Sequence, residues 1–187
     1  MKTLVFIRPP SASDAEPFLR AVHRSRSLHR GWVTPPCTSQ AFHRYLERHS
    51  TDAHRGFLVV DEATNRFVGV ININNIIRGA FQSAFLGYYA FADFAGQGLM
   101  TEGMRLVLRH AFVGLKLHRL EANIQPQNHA SVKLVRNCGF VREGYSRRYL
   151  KVAGQWRDHE RWAILAEDWR RRACRRSRGL AVRDFGA

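Results

Sequence analysis

The chain has 187 residues, of which 45% are hydrophobic, and it carries a formal net charge of +15. This length suits one domain with a buried core of its own, and the apolar runs are too short to cross a bilayer. Three widely spaced cysteines make neither a disulfide framework nor a metal site, which favours a reducing, cytoplasmic setting.

The first quarter of the chain predicts one strand followed by two helices. Leu4–Ile7 is a short apolar run typical of an opening strand. Ser13 and Glu16 have the spacing of a capping box, so the first helix is expected to begin there. Residues 34–36 (Thr-Pro-Pro) interrupt the pattern, and a second helix is expected near Gln40–His49.

Two strands are predicted next, Gly56–Asp61 and Arg66–Ile77, joined by a turn at residues 62–65. Alternation in the second strand predicts one face made of Phe67, Gly69, Ile71 and Ile73. Asn72 and Asn74 then share the opposite face. Two interpretations of that face stay open: a solvated polar surface or the lining of a groove.

The most informative stretch connects a strand to a helix in the middle of the chain. Phe85–Phe91 is rich in strand-forming residues, and apolar residues recur at helical spacing from Met100 onward. Between them, Gly96 and Gly98 let the backbone approach a ligand with no Cβ in the way. Free amides and the positive end of the helix dipole then meet at one point. The pattern predicts a phosphate cradle, although glycines at such turns are also common for purely structural reasons.

The rest of the chain predicts a strand, a short helix and a closing hairpin. The strand is expected at His118–Gln125 and the helix at Asn128–Cys138, with Gly139 as its C-terminal cap. The inner side of the helix would carry Ala130, Leu134 and Cys138. The hairpin would pair Val141–Lys151 with Trp156–Ala166. This order of elements predicts a mixed α/β sheet with helices on both faces.

A second motif about thirty residues after the glycines narrows the interpretation. Residues 125–131 (Gln-Pro-Gln-Asn-His-Ala-Ser) lead into the short helix, and Cys138–Phe140 closes it. Together with the glycine loop, this motif resembles the GCN5-related N-acetyltransferase (GNAT) superfamily. The segments most similar to the RimJ/RimL branch, and above all to its RimJ side, are residues 78–81, 86–88, 96–100, 143–145 and 154–159. The resemblance spans about residues 4–169 and is loose in the first fifty.

The resemblance implies a GNAT fold: a mixed, mostly antiparallel sheet of about seven strands, splayed between strands 4 and 5, with helices on both faces. Acetyl-CoA would lie in the wedge as co-substrate, its pyrophosphate on the amides of residues 96–101 and its pantetheine arm along residues 89–91. The residues implied for this site are Tyr89, Ala90, Phe91, Gly96, Gln97, Gly98, Leu99, Met100, Thr101, Asn128 and Ser131. Ala95 stands where the superfamily usually has arginine or glutamine, so the cradle would depend on backbone amides.

For the chemistry, the resemblance implies Ser131 as proton donor to the thiolate, with Tyr145 in reserve. The general base is not identified, because the glutamate position of the RimL type is Leu150 here. Glu102 is a candidate, although an acidic residue in a first helical turn is usual for dipole reasons alone. Three other carboxylates stay open as bases: Glu121, Asp158 and Glu160. No metal is expected, since the nine histidines show no ligand spacing.

The acceptor is expected on the side of the first two helices. Trp32 would form a wall against the substrate or lie in the core, and Asn72 and Asn74 would line the same groove. An α-amine has a pKa of about 7.7–8, so roughly a tenth of it is neutral at pH 7 and weak base assistance suffices.

The resemblance therefore implies direct acetyl transfer, without a covalent enzyme intermediate, to the N-terminal amine of a protein, expected to be a ribosomal protein. A small-molecule amine acceptor and a basic ribosome- or RNA-binding module with little catalysis stay open as alternatives. The acetyltransferase domain would span 1–169 and a basic tail 170–187, which holds seven arginines and one aspartate. The tail would continue a terminal helix, touch RNA or the CoA 3′-phosphate, or form a solvated end. No membrane contact is expected.

Overall fold

Seven strands join into one sheet in the computed structural model, which describes residues 4–181. The strands are β1 (Val5–Arg8), β2 (Arg55–Asp61), β3 (Phe67–Ile77), β4 (Ser83–Ala90), β5 (Arg119–Ile124), β6 (Val141–Val152) and β7 (Gln155–Leu165). The helices are α1 (Ala15–Arg24), α2 (Arg26–His29), α3 (Ser39–His49), α4 (Leu99–Arg109), α5 (His129–Cys138) and α6 (Ala166–Ala181). A π-helix at His110–Gly114 extends α4.

The sheet opens at its centre. Its order is β1-β2-β3-β4-β5-β7-β6, and β4 and β5 form the one parallel pair among the described strands. Their pairing runs from Ser83 with Arg119 to Leu86 with Ala122 and stops there, although β4 continues to Ala90. The expected mixed, mostly antiparallel sheet, splayed between strands 4 and 5, is therefore confirmed.

Each face of the sheet buries its own apolar cluster. On one face, Met104 and Leu108 of α4 and Val135 of α5 pack against the strands. On the other face, Phe18 of α1 and Phe42 of α3 are in ring contact at 4.6 Å between centroids. The expectation of helices on both faces is confirmed, and each face of the wedge is covered by a different set of helices.

Close packing fixes α4 on the sheet. A Cβ at Gly103 would lie 2.7 Å from both methyl groups of Val59 on β2. A Cβ at Gly69 on β3 would lie 2.5 Å from the sulfur of Met100. These two missing side chains let the first turns of α4 approach β2 and β3, and this contact sets where the glycine loop stands.

The predicted capping box at Ser13 and Glu16 is wrong by two residues. The Asp14 carboxylate accepts hydrogen bonds from the Ser11 amide at 2.7 Å and the Ser11 hydroxyl at 2.9 Å. The same carboxylate also pairs with the Arg8 guanidinium at 2.6 Å. Asp14 is a better capping partner than Glu16, because its carboxylate bonds to Ser11 at the start of the helical segment and to Arg8 of β1 at the same time.

Two predicted faces also need correction. Val59 pairs with Gly69 and Val60 with Phe67, so Val68 is an extra residue that reverses the alternation and turns Phe67 towards α1. In α5, Ala130 is exposed, and the buried positions are Val135 and Cys138. The first error comes from assuming regular strand alternation across a β-bulge. The second comes from extending helical periodicity to the first turn of α5.

The closing hairpin matches its prediction. Ala153 and Gly154 form a two-residue turn with φ of 47° and 82° between β6 and β7. Helix α6 carries the start of the basic segment to Ala181, and residues 182–187 of the predicted tail lie outside the described residues. Within residues 4–181, no helix combines the length and apolar character needed to span a bilayer.

Candidate functional site

The glycine loop presents free backbone donors at the start of α4. Gly98 is the N-cap residue, in the left-handed conformation at φ 81°. Its carbonyl accepts hydrogen bonds from the Thr101 amide at 2.9 Å and the Glu102 amide at 3.4 Å. Within the described part of the chain, no hydrogen bond uses the amides of residues 96–100. These amides and the helix dipole form an anion cradle, whereas the Thr101 amide, also expected to donate, is already bonded.

The space beside the loop is open. A Cβ placed at Gly96 or Gly98 would meet no protein atom within 4 Å. Ala95 before the loop contributes no side-chain donor. The cradle is therefore built from backbone alone, and its geometry fits a phosphate or pyrophosphate group.

The end of β4 provides an edge that faces the wedge. The Phe91 amide donates to the Val68 carbonyl at 2.8 Å, so Phe91 turns towards β3 and the backbone of Ala90 turns towards the gap. The side chains of Tyr89 and Phe91 are buried in the cluster of α1 and α3. Of the expected cofactor residues 89–91, Ala90 therefore presents its backbone to the gap, while the other two side chains shape the opposite wall.

A hydroxyl pair lies on the α5 face of β4. The hydroxyl oxygens of Tyr88 and Ser131 are 2.6 Å apart. Burial raises the pKa of the Tyr88 hydroxyl, so this phenol stays protonated at neutral pH. The Ser131 amide donates to the Asn128 side-chain oxygen at 3.1 Å, which makes Asn128 the N-cap of α5. The pair can pass a proton to a group in the wedge, with Tyr88 supplying Ser131.

The α2 turn covers the wedge on the opposite face. The ring nitrogen Nε2 of His29 lies 2.8 Å from the Ala90 carbonyl oxygen. The Gln125 side-chain amide, directly after β5, donates to the Gly31 carbonyl at 2.9 Å. Trp32 follows with 37% of its surface exposed, at the rim of this turn. The structure thus brings Trp32 to the open end of the wedge.

Asn72 and Asn74 lie under α3 and are already hydrogen-bonded. The Tyr45 hydroxyl donates to the Asn72 side-chain oxygen at 2.8 Å. The Asn74 side-chain oxygen lies 3.3 Å from His49 Nε2. Neither side chain is fully exposed, so the solvated face considered for them is replaced by a polar layer beneath α3.

The candidate base carboxylates all have partners. Glu102 pairs with Arg105, one turn along α4. Glu121 and Glu143 both pair with Arg119, which lowers the pKa of the Glu143 carboxyl. The remaining two carboxylates, Glu160 and Asp158, accept bonds from Arg142 and from the Tyr145 hydroxyl. None of these carboxylates is poised as a free base.

Two residues of the edge strand β6 lie away from the wedge. Tyr145 is 47% exposed, and its hydroxyl donates to Asp158 at 2.6 Å. Leu150 is 41% exposed on the same strand. Because β7 separates β6 from β5, the structure groups Ser131 with Tyr88 and not with Tyr145.

Sequence reasoning missed Tyr88 and His29. Strand alternation could have found Tyr88, because it places residue 88 on the face opposite Tyr89 and towards α5. No sequence signal marks His29, whose role depends on how α2 docks. Among residues 4–181, no three histidine, cysteine or acidic side chains cluster as metal ligands.

Known proteins share this architecture. A family model described as "Acetyltransferase (GNAT) domain" matches residues 5–141. The probable N-acetyltransferase YjcK of Bacillus subtilis is 34% identical over 172 residues, covering 88% of this chain and 95% of that one. The ribosomal protein uS5-alanine N-acetyltransferase of Escherichia coli is 37% identical over 113 residues, covering 60% of this chain and 58% of that one.

Two further similarities bear on ligands. The structure of Mycobacterium smegmatis RimJ in complex with CoA-disulfide has a TM-score of 0.81 and 29% identity, covering 87% of this chain and 82% of that one. The spermidine N(1)-acetyltransferase of Vibrio cholerae is 24% identical over 160 residues, covering 83% of this chain and 90% of that one.

Proposed function

This chain is a member of the GNAT acetyltransferase family, and from that premise we propose that it acetylates the N-terminal amine of a protein, with a ribosomal protein as the expected acceptor. The donor in this proposal is acetyl-CoA, and transfer to the amine is direct. The observation that carries the proposal is the wedge between β4 and β5, which opens beyond Leu86 and has the free amides of residues 96–100 beside it.

The residues of the wedge fit the donor. The free amides of residues 96–100 suit a pyrophosphate. The β4 edge beyond Leu86 has no β5 partner, and with the Ala90 carbonyl bonded to His29, the Ala90 amide is the group that suits a pantetheine carbonyl. The similar RimJ structure holds a CoA-disulfide. When bound, acetyl-CoA supplies a thioester that an amine can attack.

The proposed proton donor and the proposed acceptor entrance lie on opposite faces of β4. Ser131, backed by Tyr88, lies on the α5 face, where it donates a proton to the departing thiolate. Trp32 lies at the rim of the α2 turn on the α1–α3 face, where the acceptor would enter, whereas Asn72 lies beneath α3 and is bonded to Tyr45. With acetyl-CoA bound, Ser131 would serve the leaving thiolate and Trp32 would lie on the side of the incoming amine.

The charge of the site favours an α-amine over a polyamine. The net charge of +15 repels a free polycation at long range. The carboxylates on β5, β6 and β7 are each engaged by an arginine or tyrosine. An α-amine is also partly neutral at pH 7, so it needs less help than a lysine side chain. The uS5-alanine acetyltransferase of E. coli is a relative with such an acceptor.

The test is acetyl transfer by the purified chain to three matched acceptors. These are a peptide with a free N-terminal alanine, the same peptide blocked at its N-terminus but containing lysine, and spermidine. We expect acetylation of the first only, measured by release of CoA thiol and by mass spectrometry. Acetylation of the blocked peptide, or none of any acceptor, would contradict the proposal.

A small-molecule amine remains the second candidate because a spermidine acetyltransferase is among the relatives. Preferential turnover of spermidine in the same assay would select it. The basic segment from Arg170 onward adds a separate proposal, contact with ribosomal RNA. Salt-sensitive ribosome binding that survives deletion of residues 170–187 would contradict that contact.

A further inference from the structure

The α2 turn bridges the two diverging strands at the open end of the wedge. His29 reaches the Ala90 carbonyl on β4 at 2.8 Å, and Gly31 accepts from Gln125 beyond β5 at 2.9 Å. Ser25, at the start of α2, accepts a hydrogen bond from the Ala92 amide at 2.9 Å. These contacts hold the His29 imidazole against the β4 edge that faces the gap.

The hydrogen bond to Ala90 determines which nitrogen of His29 carries the proton. A carbonyl oxygen only accepts, so Nε2 is the protonated nitrogen and Nδ1 carries a lone pair. The ring is 5% exposed, and burial lowers its pKa, which keeps it neutral. The rings in contact with it are Tyr89 and Phe91, of which only the Tyr89 phenol titrates.

Two contacting rings each carry a buried polar atom without a partner within residues 4–181. Neither His29 Nδ1 nor the Tyr89 hydroxyl has a hydrogen-bond partner among the described residues. Their rings meet edge to face at 5.1 Å between centroids, and Tyr89 is 9% exposed. Buried polar atoms of this kind bind an ordered water or a ligand group, because leaving them bare is costly. Nδ1 of His29 accepts a hydrogen bond and the Tyr89 hydroxyl can donate one, so the two atoms suit a group that both donates and accepts.

We propose that His29 and Tyr89 together hold the water that removes the proton from the acceptor amine. This inference rests on the proposed acetyl transfer. The amine nitrogen bonds to the thioester carbonyl carbon and the carbon–sulfur bond breaks. The amine proton passes through the water to His29 Nδ1, and the thiolate takes a proton from Ser131, which Tyr88 reprotonates. His29 then releases its proton to solvent and the Tyr88–Ser131 pair takes one up from solvent, which restores the enzyme. The products are the amide and the free thiol, and no oxidant or reductant is needed.

The arrangement places base and acid on opposite faces of one strand. Tyr88 and Tyr89 are consecutive in β4, so their side chains point to opposite faces. Tyr88 contacts Ser131 of α5, and Tyr89 contacts His29 of α2. The proton is therefore taken up on the acceptor face and delivered on the thiol face. In this proposal His29 is the general base, because each candidate carboxylate is already engaged by an arginine or by Tyr145.

The decisive variant is His29→Gln. The side-chain amide of glutamine can still donate to the Ala90 carbonyl, so the bridge over the wedge is kept while the basic nitrogen is lost. We expect kcat at pH 7 to fall about 100-fold, the lower end of what a positioned general base contributes. Affinity for acetyl-CoA should be unchanged. Tyr89→Phe should lower kcat in the same direction, and His110→Gln is the control, because His110 is a histidine of lowered pKa that packs on Phe57, away from the wedge.

The pH profile separates a base from a merely structural residue. In the wild type, kcat should fall at pH values below the His29 pKa, which lies under the usual 6.5. The His29→Gln variant should lose this acid limb. A wild-type rate and an unaltered limb in His29→Gln would overturn the relay while leaving the acetyltransferase proposal intact. A wild type that acetylates no amine would instead overturn both.

A second measurement does not depend on turnover. Nitrogen-15 NMR of the imidazole groups in the free protein should show His29 neutral at pH 7, with the proton on Nε2, and Tyr89→Phe should shift the Nδ1 signal. A charged ring, or a proton on Nδ1, would overturn the assignment of His29 as base.

Discussion

At the scale of single residues, the donor site depends on backbone groups more than on side chains. The amides of residues 96–100 are free because Gly98 turns through φ 81° and its own carbonyl caps the next turn. Substitution therefore acts on this site through conformation and space. The side chains proposed for catalysis, by contrast, are few and lie on either face of β4.

The first prediction concerns Gly98. Gly98→Val forces a branched residue into the left-handed region and places its Cβ in the open space beside the cradle. We expect affinity for CoA to fall about tenfold or more, since each charge-assisted hydrogen bond is worth about 1.5–3 kcal/mol. Titration calorimetry measures the effect.

Gly154→Val is the matched control for Gly98→Val. Gly154 has φ 82° and equally open surroundings but lies in the β6–β7 turn. Both variants should lose about 1–2 kcal/mol of unfolding free energy from the strained backbone. Only Gly98→Val should weaken CoA binding, and equal CoA affinity in the two variants would contradict the cradle.

The second prediction concerns the hydroxyl pair. Ser131→Ala removes the group that we propose as proton donor to the thiolate, so kcat should fall about 100-fold with CoA affinity retained. Tyr88→Phe should have a similar effect, and the double variant should be no worse than the worse single one, because the two hydroxyls act as a unit. If Tyr145→Phe slows turnover and Ser131→Ala does not, the acid is Tyr145.

At the scale of elements, the sequence predicted the strands, the glycine loop, α4, α5 and the closing hairpin because their local patterns are strong. Gly98, Gly139 and the Ala153–Gly154 turn all adopt left-handed conformations at the predicted breaks. Helix α2 was missed because a helix of four residues is too short to show a hydrophobic periodicity. Its position is set by tertiary contacts with β4 and Gln125.

The same distinction between local patterns and tertiary contacts applies to the residues of the candidate site. The cradle could be predicted because it belongs to one continuous stretch, residues 96–100. The pairing of Ser131 with Tyr88 and the docking of His29 on Ala90 join residues 43 and 61 positions apart. Such contacts depend on strand order, which one sequence does not specify through local patterns.

The third prediction concerns the seating of α4. Gly103→Ala places a methyl group 2.7 Å from Val59, so the helix must move off β2. We expect a loss of about 1–3 kcal/mol in urea unfolding, as is usual for an overpacked core. Gly114→Ala is the control, because its Cβ would meet its nearest neighbour at an ordinary 3.6 Å. Adding Val59→Ala to Gly103→Ala should recover part of the loss, and strict additivity would contradict the contact.

At the scale of the whole molecule, the ionisable groups make the fold sensitive to acid. Burial lowers the pKa of four histidines: His29, His49, His110 and His159. Below about pH 6.5 the unfolded chain takes up protons that the folded chain refuses, so stability falls. Burial alone would raise the pKa of the Asp14 carboxyl, but its bonds to Arg8 and Ser11 together outweigh burial and lower it. Asp14 therefore stabilises the fold above about pH 3.9 and loses that effect as the pH falls further.

The fourth prediction follows from these signs. The unfolding free energy should be level near pH 7–8 and decline steadily as the pH falls below about 6.5. Urea titrations at several pH values measure it. His159→Asn, which keeps an amide nitrogen near the Arg157 carbonyl, should flatten the decline. A fold that gains stability between pH 7 and pH 5 would contradict the assignment of neutral buried histidines.

The bridge made by α2 has a consequence for how such a protein could change its substrate. The segment from α1 to α3 forms hydrogen bonds to the end of β4 and to Gln125 through Ser25, His29 and Gly31. It also packs on the sheet through the apolar cluster of Phe18 and Phe42. The cradle and the hydroxyl pair lie wholly in later sequence. Residues 15–50 can therefore be treated as an exchangeable unit. A chimera that takes this unit from a relative and keeps both the three hydrogen-bonding points and the apolar cluster should acquire the relative's acceptor specificity and keep its own affinity for CoA.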